Sequence, residues 1–192
     1  MGVRNERPRV HGYLWGEFVQ QNKRQINLDE TVSDLQDSFD TLNRYAYENL
    51  VLTKINSILG PDFRRGRDAR DEINDHLDDA EEAGAISVTQ NDDVNIAYLL
   101  WQGITKQSRE TIYIIGEAPC FTEFHDVQRA IQRAQTVQRA GLRALSLVAG
   151  RKWTREAIEV ADKYGIVRVQ NFSMERESWS AALEQMQENL QS

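Results

Sequence analysis

TIYIIGEAPCFTEFHDVQRAIQRAQTVQRAGLRALSLVAG, residues 111–150, decides the fold. Its opening, 111–118, is a run of β-branched and aromatic residues that ends on a lone Glu117, as a buried strand would. Residues 125–141 place Val127, Ala130, Ile131, Ala134 and Val137 on one helical face, and Gly141 closes the pattern. ALSLVAG, 144–150, is almost wholly apolar, the texture of a parallel strand covered on both sides. Strand, helix and strand in that order make a right-handed crossover. Downstream, Thr154 is set to cap a helix over 154–165, and IVRVQ, 166–170, reads as one more strand. Upstream, VNIAYLLWQG, 94–103, reads as a strand, KQSRE as a turn, and the pair as antiparallel neighbours. The expectation is an α/β domain on a mixed sheet.

A carboxylate at a strand end is chemically suggestive. Metal-dependent nucleases hold Mg²⁺ between carboxylates on two adjacent strands, since the ion takes oxygen ligands in near-octahedral geometry. The ion activates water and stabilises the phosphate in flight. A lysine two residues after the second carboxylate points the same way, because strand side chains alternate. Here that position holds Pro119.

The run 113–150, with KYGIVRV at 163–169, resembles the PD-(D/E)xK nuclease-like superfamily. More closely it resembles small bacterial proteins of a cyanobacterial type that join a coiled-coil stem to such a domain. The resemblance rests on the strand-ending Glu, on D-V-x-R-A-x-x-R-A in the helix and on A-x-x-x-V-A-G in the next strand, and spans roughly residues 40–170. It implies a restriction-endonuclease-like core. Glu117 takes the place of the second carboxylate, and Pro119 that of the lysine. The first carboxylate would fall at Tyr98, a phenol that does not ordinarily ligate Mg²⁺ at neutral pH. Asp92 and Asp93 precede it by about 15–20 Å of extended chain. The family's helical Glu would be Glu48. Glu117 and Glu48 are therefore the candidate catalytic residues, and Glu117 the candidate metal ligand, in a motif that looks degenerate. A buried carboxylate that lacks its metal is expected to raise its pKa or to recruit a cation.

Ahead of this domain, residues 27–59 show the clearest helical period. Leu28, Leu35 and Leu42 fall seven apart, and so do Val32, Phe39 and Ala46. That is a coiled-coil seam of about two and a half heptads, flanked by Asp, Gln, Ser, Thr and Asn. Leu28, Val32, Leu35, Phe39 and Leu42 are the predicted interface with a second copy; an intrachain hairpin is the alternative. From Tyr47 the stripe widens through Leu50, Val51, Ile55, Ile58 and Leu59, as a globular core requires, and Gly60-Pro61 stops the helix. Residues 66–84 read as a charged helix with arginines at its start and acids at its end, against the helix dipole. A last amphipathic helix is expected from about Ser178 to Leu190.

The chain has 192 residues and a net charge of −7, unevenly spread. Residues 1–25 carry five Lys/Arg against two acids, 71–82 seven acids and no Lys or Arg, and 123–170 nine Lys/Arg against five acids. A local basic face is thus compatible with the acidic total. Arg129 and Arg133, one turn apart, are candidate binding residues for phosphates, or partners of the acidic 71–82 segment within or between subunits; Arg139 and Arg143 follow. Trp101, Trp153 and Trp179 read as core or interface anchors, because no basic–aromatic alternation accompanies them. One cysteine, Cys120, excludes an internal disulfide framework and a cysteine-rich zinc site. No run approaches the ~20 apolar residues of a membrane span, and the start of the chain has no secretory apolar core; a cytoplasmic setting is expected.

The sequence thus divides into a basic, aromatic arm (1–26), a coiled-coil stem (27–46), a nuclease-like α/β domain (47–172) and a C-terminal helix (173–192). The expected role is a non-catalytic homo-oligomeric scaffold or adaptor, with no cofactor. Its expected partners are a copy of itself through the stem and another protein through the arm, and no membrane. The alternatives are a Mg²⁺- or Mn²⁺-dependent DNA nuclease using Glu117 and Glu48, and a nucleic-acid-binding module without catalysis.

Overall fold

The computed structural model describes residues 10–64, 66–174 and 177–191. They divide into two compact units, a first ending at Asn43 and a second from Arg44 onward. The first nine residues of the arm, and the side chains up to Gly16, lie outside the described residues.

Among the described residues, the first unit is a single helical segment. Helix α1 runs Val10–Leu59, so residues up to Asn43 belong to this unit and the remainder to the second. It begins well before the expected start near Asn27. The segment 10–26 shows no apolar period, but a formed helix propagates cheaply, and the isolated Gly12 and Gly16 each cost only about 1 kcal/mol. No proline interrupts the run after Pro8.

The second unit is an α/β domain on a mixed sheet. After α1 come a 3₁₀ turn (Gly60–Asp62), β1 (Arg67–Asp68), α2 (Arg70–Glu82), α3 (Val88–Asn95), β2 (Leu99–Ile104) and β3 (Thr111–Glu117). Then follow β4 (Phe121–Thr122), α4 (Phe124–Arg139), β5 (Ala144–Gly150), β6 (Lys152–Trp153), α5 (Arg155–Lys163), β7 (Val167–Gln170), β8 (Ser173–Met174) and α6 (Glu177–Gln191). The six-stranded sheet has the order β1-β2-β3-β5-β7-β8. Strands β3, β5 and β7 are parallel, while β1, β2 and β8 add antiparallel edges. Glycines stop helices as expected: Gly60 and Gly141 take φ of 59° and 87°, which favour a residue without Cβ. Thr154 caps α5, its hydroxyl accepting from the Ala157 amide at 3.2 Å.

Alternation along the strands builds two cores. Ile112 and Ile114 of β3 pack with Tyr47, Val51 and Ile55 of α1 and with Trp179 of α6. Tyr113 and Ile115 face the other way, onto Ile73 and Leu77 of α2 and Ala134 and Val137 of α4. Trp179 is fully buried and donates its indole N–H to the Ile58 carbonyl at 2.9 Å, pinning α6 to α1. Trp101 and Trp153 also pack against core clusters, as the sequence suggests. Over the carboxyl end of β5, β4 and β6 pair in parallel. They press so close that a Cβ at Gly150 would stand 2.0 Å from Thr122 Oγ1. Among the described residues no helix is long and apolar enough to cross a membrane.

Three local readings change. The stretch 94–103 is not one strand: Val94 and Asn95 close α3, and β2 starts at Leu99. Ser87 and Gln90 form a reciprocal capping box at the start of α3. The charged helix begins at Arg70, so Arg64 and Arg67 lie outside it, and its first turn carries Asp71 and Glu72, which suit the dipole. The acids near its end are held by α3: the buried Asn91 amide donates to Asp78 at 2.9 Å and to Glu81 at 2.8 Å.

Candidate functional site

Glu117 is the last residue of β3 and pairs in register with Val148 of the parallel β5. By alternation its side chain shares the face of Tyr113 and Ile115, the face covered by α4. There it meets Arg133. The Arg133 side chain is only 4 % exposed. Each of its three nitrogens donates: Nη1 to Glu117, Nε to one Asp93 oxygen at 3.1 Å, and Nη2 to the other at 2.9 Å. One guanidinium therefore joins two carboxylates, one at the end of β3 and one on α3. A bidentate arginine pair adds direction as well as charge. Burial works against the charged guanidinium, but the hydrogen bonds and charges of Asp93 and Glu117 outweigh it and raise its pKa further. Burial pushes the Glu117 carboxyl above the usual carboxylate range, and Arg133 and then Arg129 offset only part of that rise.

One turn earlier, Arg129 donates to Asp126 at 2.6 Å. The buried Asp126 also accepts from the Glu123 amide at 2.9 Å, closing the box that starts α4. His125, in that first turn, lies 3.4 Å from Asp126 and is exposed, so it belongs to the helix start. Beyond them Arg143 pairs with Glu110, and Arg139 donates to Thr136 at 3.1 Å. The ion pairs of Arg129 and Arg133 are thus with Asp126, Asp93 and Glu117, none of which is on the acidic α2.

The other candidate positions lie apart from this cluster. Tyr98, just before β2, has its hydroxyl buried without a partner among the described residues. Burial, and then the charge of Glu48, push its pKa to about 12, so it remains a neutral phenol. Pro119 offers no donor in the turn between β3 and β4. Glu48 sits on α1, beside Tyr47 of the opposite core, 3.9 Å from Arg44. Burial raises its pKa, and Arg44 partly offsets this. Glu48 and Glu117 therefore approach the sheet from opposite faces. Among the described residues, no group of three His, Cys, Asp or Glu side chains is placed to hold a metal ion.

Two polar centres escape the sequence reading. That reading places Asp93 too far back along a strand; on α3 it reaches Arg133 instead. The SVTQ capping signal at 87–90 is the clue to that helix. Glu72, on α2, accepts from Tyr113, from Gln102 at 2.7 Å and from Arg67 at 3.0 Å. The Tyr113 hydroxyl, above all, lowers its pKa.

The predicted interface residues lie in the first unit and are open to solvent, from 46 % exposure at Val32 to 67 % at Leu42, with Leu28, Leu35 and Phe39 between. Comparison with protein-family models, with curated proteins and with solved structures returned no match.

Proposed function

We propose that this chain is a non-catalytic, homo-oligomeric scaffold or adaptor. In this reading its α/β domain keeps a nuclease-like plan with a degenerate site, and its first unit supplies the self-association. The observation that carries the proposal is the Arg133 guanidinium seated between Asp93 and Glu117. A metal ion at Glu117 would have to compete with that cation for the carboxylate and would be repelled by it. Mg²⁺ adds to the difficulty, because it sheds water reluctantly and wants further oxygen ligands. Tyr98 is a neutral phenol where an anion is needed, and Pro119 stands where an ammonium is needed.

The rival reading is a Mg²⁺- or Mn²⁺-dependent DNA nuclease using Glu117 and Glu48. The full chain incubated with single-stranded, linear and supercoiled DNA and either metal separates the two. The scaffold reading expects no cleavage above that of Glu117→Gln. Cleavage by the unmodified chain that Glu117→Gln abolishes would overturn it.

A further inference from the structure

From the heptad placement of Arg24 and Asp29 we infer that two copies of the first unit pair as a parallel, in-register, two-stranded coiled coil. This rests on the self-association proposed above and adds its partner, orientation and strand number. The seam Leu28–Val32–Leu35–Phe39–Leu42 lies on one helix, every member is exposed, and among the described residues of that unit no other element exists to cover it. Counting Val32 and Phe39 as a positions makes Leu28, Leu35 and Leu42 d positions. At the Val32 layer, leucine at d beside a β-branched residue at a favours two strands; Phe39 is the seam's other a position.

The same frame assigns the neighbours. Gln21 falls at d and Gln25 at a, so two amide layers separate Phe18, itself an a position, from the apolar seam. Parallel, in-register copies place like on like, Gln21 on Gln21 and Leu28 on Leu28. An antiparallel frame that sets Leu28 against Phe39 and Val32 against Leu35 also sets Leu42 against Gln25, but shifted by one heptad it sets Leu28 against Ala46, Val32 against Leu42 and Leu35 against Phe39, all apolar. The direction is therefore chosen by the charges at the margin. Arg24 is a g position, and Asp29, five residues on, is the e position that a parallel partner presents to it. Both are exposed, and Asp29 is steadied by the Gln25 amide at 3.2 Å. In antiparallel pairs g faces g and e faces e. Arg24 would then meet Thr31, Ser38 or Tyr45, and Asp29 would meet Asn22, a second Asp29, Gln36 or Asn43, with no opposite charge in any frame that overlaps the seam. A symmetric parallel pair makes the Arg24–Asp29 contact twice.

The test uses the full chain with Gln21→Cys, which leaves every apolar seam residue in place. Mild oxidation, peptide mapping and sedimentation are read together. The expected result is a particle of twice the 22.1 kDa chain mass in which the introduced thiols of the two copies are bonded to each other. Arg24→Glu should weaken the dimer about tenfold, and adding Asp29→Arg should restore it. A dimer in which the introduced thiols do not join, a trimer, or no restoration by the second substitution would overturn the parallel two-stranded arrangement and leave self-association standing. A monomer at all concentrations would overturn both.

Discussion

Arg133→Leu should destabilise the domain by about 3–5 kcal/mol, the range for removing one partner of a buried ion pair. Leucine keeps an apolar stem against the sheet, so the loss is chiefly electrostatic. It comes from Glu117, whose side chain is 12 % exposed and would be left without its cation. Asp93 is 42 % exposed at its side chain and rehydrates more easily. Adding Glu117→Leu should recover most of the loss, because an apolar pair of similar volume can replace a buried ion pair at little cost. The pH dependence follows from direction. Burial already holds the folded-state pKa of Glu117 above its ordinary value, with the arginines opposing. Without Arg133 it rises further. A carboxyl raised on folding contributes stability below its unfolded pKa and loses it as pH climbs through its folded pKa. The deficit of Arg133→Leu should therefore be largest at neutral pH and shrink as the solution is made acid. Denaturant unfolding across that range measures it, and a deficit independent of pH would show that Glu117 is not the group left stranded.

Leu35→Asp with Phe39→Asp should convert the protein from an oligomer to a monomer while the second unit stays folded. Both side chains are exposed, at 64 % and 65 %, and belong to the first unit, so neither contributes to the two domain cores. In a paired helix each buried Leu or Phe is worth on the order of 2–4 kcal/mol of association. Two carboxylates in adjacent layers of both chains add unpaired charge to that loss. Sedimentation reports the mass, and tryptophan fluorescence of the buried Trp179 reports the integrity of the domain. An unchanged mass would reject the seam as the interface.

What the sequence disclosed, and what it concealed, follows physical lines. The crossover β3–α4–β5 and the cap at Thr154 were legible because period, cap and stop agree locally. The switch from a narrow to a wide apolar stripe at Tyr47 was legible for the same reason: Tyr47, Val51 and Ile55 are buried while Leu35 and Phe39 are not. Helix α3 was hidden because VTQNDDVN is polar and short, and only its capping box marks it. Its loss from the reading also concealed Asp93, and with it the partner that completes Arg133. That Glu117 would need a cation was derivable from a carboxylate at a strand end. That the cation would be Arg133 was not, because the pairing depends on which face of α4 meets β3.

Manganese titrated into the full chain, with free Mn²⁺ followed by electron paramagnetic resonance, tests most directly whether Glu117 is bound to an arginine and closed to a metal. The account predicts that the free-ion signal falls no further with the unmodified protein than with Glu117→Gln. A saturable site holding one ion per chain, lost in Glu117→Gln, would contradict it.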